Sequence, residues 1–486
     1  MNLQAKISSD VLVTTLVKSA LKVRGLVLIP LLTLFIGVAE YGAFVQVLAI
    51  GIFTTNVFLL GLDSGYVRYI HDTDAPAQLY TSLLVFGTAS TVVGGVLIGL
   101  GSDLLAIYSL RDQSFSALFL LGALYVPLNA LFRLVRGYFR AGRRIKLYSA
   151  LEAVDVYAGI AAIGFAVFVL ETWIVGAFAA MLATRVLVIT GTMLLIVRDG
   201  GIATPTVDGI RECLQFSLGT MGHLVSQSLL DKADKFLLGF FLGADAVGIY
   251  SAAYSIAYVI LLYFRPLSVT FFPEFSKLWA ENETESVRSY SVSGLRYLAI
   301  LGVPSIAGLW IVGEDLLGLL STQEVASSGA LPLVVISAGL LAKGVGELYT
   351  QLFFAADDAK IPAVVQGATA ASNIGLNVAL IPAFGVLGAA GATVLSFVAG
   401  TTVLAAWFQR YLRVLPRLTH LLHVGISTAV MVGILGVLQQ LLPWPVTILL
   451  GVLVYFSTLL AVGGISREEA RLVVEITTRT VGRSNS

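Results

Sequence analysis

Charged side chains occur inside segments that are otherwise apolar, and their spacing indicates ion or anion binding. The first apolar segment contains Lys18, Lys22 and Arg24. A charge at the centre of a bilayer costs about 2.5–3.5 kcal/mol, so such a residue usually faces water, a partner or a ligand. Lys18 and Lys22 are four residues apart on one helical face, where like charges repel unless an anion lies between them. We predict an anion site here; the alternative is that the three side chains only extend to the lipid headgroups.

A second charged cluster consists of Asp231, Lys232, Asp234 and Lys235. Asp231 and Lys235 have the acid-before-base spacing of four residues that stabilises a helix. One interpretation is a carboxylate that binds a proton or Na⁺ and releases it during a conformational change. The other interpretation is a self-neutralised pair that only holds the fold.

Further charges are expected in the middle of apolar helices. Arg185 has no acidic residue on its own helix, so it needs a partner such as Asp155 or an anionic ligand. Lys343 and Glu347 are four residues apart in the less favourable base-before-acid order. For this pair, a structural role is the alternative to ligand binding.

The amino-acid composition indicates that these charges lie in a chain of mostly apolar elements. The 486-residue chain is 57% hydrophobic and only 12% charged. Soluble domains average about 25% charged residues, so a soluble enzyme is excluded. The net charge of +1 argues against nucleic acid as a partner. Cys213 is the only cysteine and the four histidines form no metal motif, so we expect neither an internal disulfide nor a cysteine-based metal site.

The hydropathy pattern predicts an all-α, polytopic membrane protein with about 14 transmembrane helices, each of about 20 apolar residues. The predicted spans are 11–38, 41–62, 80–101, 116–136, 147–170, 174–197, 215–243, 246–265, 292–312, 330–354, 361–382, 385–408, 418–441 and 444–464. We expect the first span to be retained rather than cleaved as a signal peptide. The segment 313–329 is expected to be the longest outer loop.

Basic residues concentrate in alternate loops, above all in 133–146. We interpret this bias as the positive-inside signal rather than as a nucleic-acid or lipid-binding patch. It predicts a multi-pass protein of the plasma (inner) membrane with both termini in the cytoplasm. In the opposite loops, Arg111 is the only basic residue.

An internal repeat organises the chain. The stretch Phe35–Phe44 resembles Phe241–Tyr250 at an offset of 206 residues, and Val175–Ala177 resembles Leu387–Ala389 at an offset of 212. Because the offsets nearly agree, we predict two six-helix lobes related by a parallel pseudo-two-fold axis. In transporters built from repeats, the substrate site lies between the repeats.

The repeat defines the predicted domains and changes the predicted location of one charged cluster. The domains are an N-terminal lobe (1–200), a C-terminal lobe (201–412), two further helices (413–465) and a cytoplasmic tail (466–486). Hydropathy alone would put Asp231 and Lys235 in an outer loop. The offset of 206 aligns them with residues of the first helix, so helix 7 should continue through them to Gly243.

The stretch Asn377–Thr393, which reads NVALIPAFGVLGAAGAT, resembles a signature of Wzx-like oligosaccharide-lipid and polysaccharide flippases. These are relatives of the lipid II flippase within the multidrug/oligosaccharidyl-lipid/polysaccharide exporter superfamily. The segments 30–42, 61–69, 234–250 and 265–273 are also similar, and the resemblance covers roughly residues 10–410. It implies two lobes that rock around a central cavity and move a polyprenyl-(pyro)phosphate-linked oligosaccharide to the outer leaflet. It also implies membrane lipids and polysaccharide-assembly enzymes as partners.

For this cargo, the predicted phosphate and headgroup ligands are Lys18, Lys22, Arg24, Arg185, Lys232 and Lys343. The predicted ion-coupling residues or structural pairs are Asp231, Asp234, Lys235, Glu347 and Asp155. We expect no enzymatic activity and no cofactor. Because no P-loop is present, we expect energy from a gradient, such as that of Na⁺ or H⁺, or from mass action. The alternative is a cation-coupled drug or metabolite antiporter of the same fold. Such a site would need acidic groups, whereas the first helix carries three bases.

Replacing Lys18, Lys22 and Arg24 together by glutamine should abolish transport, because the anionic headgroup would lose its counter-charges. Membrane insertion should be unaffected, since the segment becomes more apolar. The measurement is a transport assay normalised to the amount of protein in the membrane. Full transport by the triple variant would contradict the predicted anion site.

Overall fold

The computed structural model describes residues 24–207, 209–263 and 273–465. Lys18, Lys22 and the predicted tail 466–486 lie outside the described residues. Within these three ranges the chain is built from α-helices with short 3-10 turns, and it contains no strand. The predicted all-α class is therefore confirmed.

Fifteen α-helices are labelled here in chain order. They are α1 (Arg24–Thr33), α2 (Val38–Phe58), α3 (Leu62–Tyr69), α4 (Pro76–Leu100), α5 (Ser102–Leu110), α6 (Ser116–Ala141), α7 (Ile145–Phe168), α8 (Ile174–Arg198), α9 (Ile210–Leu242), α10 (Ala244–Ala257), α11 (Thr284–Leu320), α12 (Gln323–Ala355), α13 (Lys360–Phe408), α14 (Leu418–Leu438) and α15 (Trp444–Ala461). Residues 273–280 are also helical, and 3-10 turns occupy Gln113–Phe115 and Tyr258–Tyr263.

Eleven of the helices in the described part of the chain are long and apolar enough to cross a membrane. The chain is therefore a multi-pass membrane protein, although the predicted count of 14 spans is not confirmed. Three features lower the count. Of the first predicted span, 11–38, the structure describes only residues 24–38, which include the 10-residue helix α1. The 33-residue helix α9 is not among the eleven, since it carries the charged cluster 231–235. Helix α13 counts once but replaces two predicted spans.

Glycines with positive φ divide the chain at the predicted places. Gly243, with φ +90°, ends α9, so the charges around Asp234 lie inside a helix and not in an outer loop. Gly385 has φ +60° and ψ −136°, which interrupts α13 between its two halves. A straight 49-residue helix would be about 73 Å long, far more than one bilayer crossing. The break therefore separates the spans predicted at 361–382 and 385–408.

Two sequence interpretations were wrong about loops. The expected outer loop 313–329 is mostly helical, because α11 continues to Leu320 and α12 begins at Gln323. The basic loop expected at 133–146 is also partly helical, since α6 extends to Ala141. In both cases polar residues lowered the hydropathy, but the backbone hydrogen bonds of a helix continue beyond its apolar part.

The helix starts follow the internal repeat. Val38 and Ala244, the first residues of α2 and α10, are 206 residues apart. Helix α8 begins at Ile174, and a shift of 212 residues places its counterpart just after the break at Gly385. The lobe boundaries themselves stay a prediction.

The chain divides into two compact units. The first combines Met1–Ile256, Leu320–Gly329 and Gly367–Ser396. One apolar core of this unit lies among α3, α4 and α6 and includes Tyr66 and Phe139, with Cys213 of α9 fully buried against them. Burial of large apolar side chains at such a core contributes about 1.5–3 kcal/mol per residue in water, whereas close packing dominates within lipid.

The second unit combines Ala257–Leu319, Ala330–Gln366 and Phe397–Ser486. Its core joins α11 to α14 and α15, and the hydroxyl of Tyr455 donates to the carbonyl of Ile300 at 2.8 Å. At the turn before α13, the hydroxyl of Tyr411 donates to Asp358 Oδ2 at 2.6 Å, which lowers the pKa of the exposed Asp358 carboxyl.

Candidate functional site

Helix α9 carries the charged cluster within the first unit. Asp231 is exposed, Lys232 and Lys235 are half-buried, and Asp234 is buried. The ammonium group of Lys235 lies 5.4 Å from the ring centroid of Tyr254 on α10. This is a cation–π contact, which stabilises a cation where water is scarce. The acid–base pair predicted for Asp231 and Lys235 is an electrostatic interaction on this helix, and its role in ion coupling stays a prediction.

Asp234 is 4% exposed and is held by hydrogen bonds from other helices, in addition to its electrostatic interaction with Lys235. The hydroxyl of Tyr250 donates to its Oδ2 at 2.6 Å, and Thr393 Oγ1 donates to the same oxygen at 3.0 Å. The amide of Asn377 donates to Oδ1 at 2.9 Å. A buried carboxylate needs such partners to offset its desolvation. Helices α9, α10 and α13 thus converge on one carboxylate.

The same cluster contains an acceptor that no described group satisfies. Within the described chain, Oδ1 of Asn377 is buried and accepts no hydrogen bond. The Asn377 amide also donates to Oδ1 of Asn373 at 3.1 Å, and Asn373 donates to Ser396 Oγ at 3.2 Å. A carboxylate and several neutral oxygen atoms are therefore concentrated at one place. Oxygen donors of this kind suit a hard cation.

Arg24 brings a further positive charge to this region of the first unit. It is exposed at the start of α1, and its charge acts on Lys235, as does that of Lys232. Arg24 also acts on Tyr41, whose hydroxyl is hydrogen-bonded to Ser255. The three cations Arg24, Lys232 and Lys235, on α1 and α9, therefore lie close enough to interact. Whether they bind cargo stays a prediction.

Arg185 meets Asp155, the partner suggested by the sequence. Its Nε and Nη2 donate to the two carboxylate oxygens at 3.0 and 2.7 Å, and Nη1 donates to Asn129 at 3.3 Å. The guanidinium also lies over the rings of Tyr125 and Phe132. This bidentate, ring-flanked arrangement satisfies the arginine within its own lobe. It gives Arg185 a structural role, and the predicted role in phosphate binding is untested.

Two further ion pairs surround α6, and the sequence did not predict them. Arg133 donates to Asp63 Oδ2 at 2.7 Å and to Asn56 Oδ1 at 2.7 Å. Arg136 pairs with Glu152 and lies over the ring of Tyr148. Both arginines were assigned to a cytoplasmic loop from their charge. The spacing of three to four residues from Asn129 through Arg133 to Arg136 was the available signal for a polar helix face.

Lys343 and Glu347 belong to the second unit and are described separately. The ammonium group of Lys343 lies 5.3 Å from the ring centroid of Phe397, and Glu347 is exposed. Their predicted roles in headgroup binding and pairing stay predictions. The residues that sequence reasoning missed are Tyr250, Asn373, Asn377 and Thr393. Asn377 and Thr393 are the first and last residues of the motif that carried the family resemblance. Nothing in the motif indicated Asp234 as their common partner.

Two family models match this chain over more than half of its length. The model described as "Polysaccharide biosynthesis protein" matches residues 7–279, and the model described as "Lipid II flippase MurJ" matches residues 158–455. The chain belongs to the Wzx- and MurJ-like flippase family. This membership confirms the resemblance inferred from Asn377–Thr393.

Two curated relatives come from Haloferax volcanii. "Probable flippase AglR" is 26% identical over 450 residues, which covers 87% of this chain and 88% of the relative. "Probable low-salt glycan biosynthesis flippase Agl15" is 22% identical over 231 residues, 48% of this chain and 49% of the relative. Both relatives are named as flippases.

Solved structures of the superfamily share the fold. The lipid II flippase MurJ in an inward closed conformation gives a TM-score of 0.77 at 14% identity, with 92% of this chain and 98% of that chain covered. An inward-facing multidrug resistance transporter of the MATE family gives a TM-score of 0.62 at 14% identity, with 82% and 94% covered. At this identity the likeness shows the fold alone.

Replacing Asp155 by alanine should destabilise the protein by about 3–5 kcal/mol, because Arg185 would stay buried without its carboxylate. The measurement is the thermal unfolding midpoint of purified protein in detergent. The matched control is Asp72→Ala, which breaks the exposed pair with Arg68. That variant should lose less than about 1 kcal/mol. Equal losses in the two variants would show that the Arg185 pair does not hold the lobe together.

Proposed function

We propose that this protein moves a polyprenyl-(pyro)phosphate-linked oligosaccharide from the inner to the outer leaflet of the membrane. Family membership supports translocation of a lipid-linked sugar, as do the two relatives named as flippases. The observation that carries the proposal for this chain is the group of interacting cations on α1 and α9: Arg24, Lys232 and Lys235. Lysine and arginine are the side chains that bind phosphate groups.

The positions of the cations support different roles for those around α6 and those on α1 and α9. Around α6 the arginines have carboxylate partners, as in Arg185 with Asp155 and Arg133 with Asp63. Such pairs are already neutralised and offer little to an anionic headgroup. The cations on α1 and α9 interact with one another as well as with Asp231 and Asp234. The repulsion among these cations falls when an anion enters. The proposed cargo supplies that anion, while its prenyl chain stays in the lipid.

The proposed process is a translocation by alternating access, with no covalent chemistry on the cargo. We place the protein in the plasma (inner) membrane with both termini in the cytoplasm, on the basis of the basic loops. Polysaccharide-assembly enzymes would supply the loaded lipid on the inner side and use it on the outer side.

Cells that lack this protein should accumulate a sugar-loaded polyprenyl lipid on the cytoplasmic side. Synthesis would continue while removal stops. Lipid extraction and mass spectrometry test this and identify the sugar, and complementation with the intact gene is the control. If no such lipid accumulates and toxic organic cations build up instead, the drug or metabolite antiporter is the better account. The shared fold with a multidrug transporter is the observation that favours this second candidate.

We further propose that the cluster around Asp234 binds the coupling cation, Na⁺ or a proton. The fit rests on the buried, unsatisfied Oδ1 of Asn377 beside the Asp234 carboxylate and the Thr393 hydroxyl. When bound, the cation would neutralise a carboxylate that is otherwise costly to bury. Because α10 and α13 both donate to Asp234 of α9, a change in its charge would alter how these three helices are held together.

Replacing Asp234 by asparagine should remove the part of the transport rate that depends on an imposed ion gradient, because the side chain can no longer carry a negative charge. The measurement uses proteoliposomes with a fluorescent polyprenyl-diphosphate sugar, under a Na⁺ gradient in one arm and a pH gradient in the other. The control is Asp245→Asn, an exposed carboxylate in the first turn of α10. An unchanged gradient dependence in Asp234→Asn would contradict the proposal, and the responding arm identifies the ion.

A further inference from the structure

Arg111 is the basic residue that the positive-inside pattern leaves unexplained. It directly follows α5 with φ +59°. Its Nη1 donates to the backbone carbonyl of Phe241 at 2.7 Å, in the last turn of α9. The last carbonyls of a helix lack partners within the helix, and a cation there is favoured by the helix dipole. A side chain from the N-terminal repeat therefore holds the end of the first helix of the second repeat.

The backbones of α5 and α9 lie in close contact beside this hydrogen bond. A Cβ atom built on Gly239 of α9 would lie 2.0 Å from the carbonyl oxygen of Ser109. The side chain of Gln46 on α2 donates to that same carbonyl at 3.4 Å. Any side chain larger than that of glycine at position 239 would push the two helices apart.

A second close contact obeys the symmetry of the repeat. Gly42 on α2 and Gly248 on α10 are 206 residues apart, the offset that relates the two repeats. A Cβ on Gly42 would lie 1.9 Å from the carbonyl oxygen of Ala244, and a Cβ on Gly248 would lie 2.4 Å from that of Val38. Since Val38 and Ala244 are also 206 residues apart, each helix makes the same contact with the other. The two helices therefore cross at the pseudo-two-fold axis, backbone against backbone.

All of these contacts lie at one end of the first unit. Helices α2 and α10 begin there and α9 ends there, whereas the arginine-rich turn between α6 and α7 lies at the other end of the spans. By the positive-inside pattern, this is the outer end. The hydrogen bond of Arg111 is exposed, so water can replace it when the helices separate. Contacts between small residues, unlike interlocked side chains, also separate without rotamer changes.

We propose that these contacts, Arg111 with Phe241, Ser109 with Gly239 and Gly42 with Gly248, form an outer clasp. The clasp closes the outer end between the two repeats and must open before cargo can leave on that side. The inference rests on the proposed function only for the direction of cargo movement. Its residues include none of the cations proposed to bind the headgroup.

The test measures the accessibility of a residue beneath the clasp. Ala49 is 4% exposed and lies on α2 between Gln46, which contacts Ser109, and Phe53, which contacts Phe236 of α9. An Ala49→Cys reporter in a Cys213→Ser background is labelled in intact cells with a membrane-impermeant maleimide. Arg111→Gln, Gly42→Ala and Gly248→Ala are then added singly to the reporter chain.

Arg111→Gln should be labelled about tenfold faster than the reporter chain alone, the factor expected for loss of a hydrogen bond to a charged group. Gly42→Ala and Gly248→Ala should also be labelled faster, because the added Cβ would lie 1.9 and 2.4 Å from a carbonyl oxygen of the facing helix. One control is Arg68→Gln, which removes an exposed arginine with a 2.8 Å contact to Asp72. The other control is Gly222→Ala on α9, where a Cβ meets no atom within 4 Å. Both controls should label at the rate of the reporter chain.

Clasp variants that label no faster than the controls would overturn the inference. If Gly42→Ala does not accumulate in the membrane, Gly248→Ala tests the symmetry-related contact and Arg111→Gln tests the clasp without adding a Cβ. The labelling needs no cargo, so it separates the two proposals. If the clasp variants label faster but the protein moves no sugar lipid, the clasp is supported and the proposed function is refuted. If the variants label at the control rate and the protein is an active flippase, the proposed function is supported and the clasp is refuted.

Discussion

The cost of burying charge among apolar helices is the constraint on which this structure depends. Asp234 lies inside α9 and accepts hydrogen bonds from Tyr250, Thr393 and Asn377. Lipid offers no such donors, so the carboxylate can be ionised only where α10 and α13 approach α9. The position of α9 in the first unit is therefore tied to the needs of one side chain. A change at that side chain is communicated to three helices together.

Charges in this protein fall into two groups with different consequences. Around α6, each of Arg133, Arg136 and Arg185 has a carboxylate partner, and these pairs link α6 to α3, α6 to α7 and α8 to α7. Near the start of α1, the cation Arg24 acts on Lys235 of α9, which also interacts with Lys232, Asp231 and Asp234. The first arrangement ties helices of the first unit together, and under the proposed function the second contributes to a site for an anionic headgroup. Both arise from the same rule, since a buried charge requires a partner from the protein or from a ligand.

Glycine determines where helices of the two repeats can approach closely. At the crossing of α2 and α10, the absence of a Cβ on Gly42 and Gly248 allows backbone contact. In membranes, such close packing replaces the hydrophobic driving force that holds soluble helices together. The internal repeat thus contributes a symmetric contact as well as duplicated helices.

The sequence by itself determined the all-α membrane fold, the family and the course of α9, because apolar length, motif residues and the 206-residue offset are properties of the chain alone. It also suggested Asp155 as the partner of Arg185, since few acidic residues occur in the spans. Only the tertiary structure decided that Asp234 meets Tyr250 and Thr393 and that Arg133 meets Asp63. These partners are about 16 to 159 residues apart, and hydropathy and helical spacing constrain only near neighbours. Long-range pairing depends on which helices pack together, so it emerges only with the folded chain.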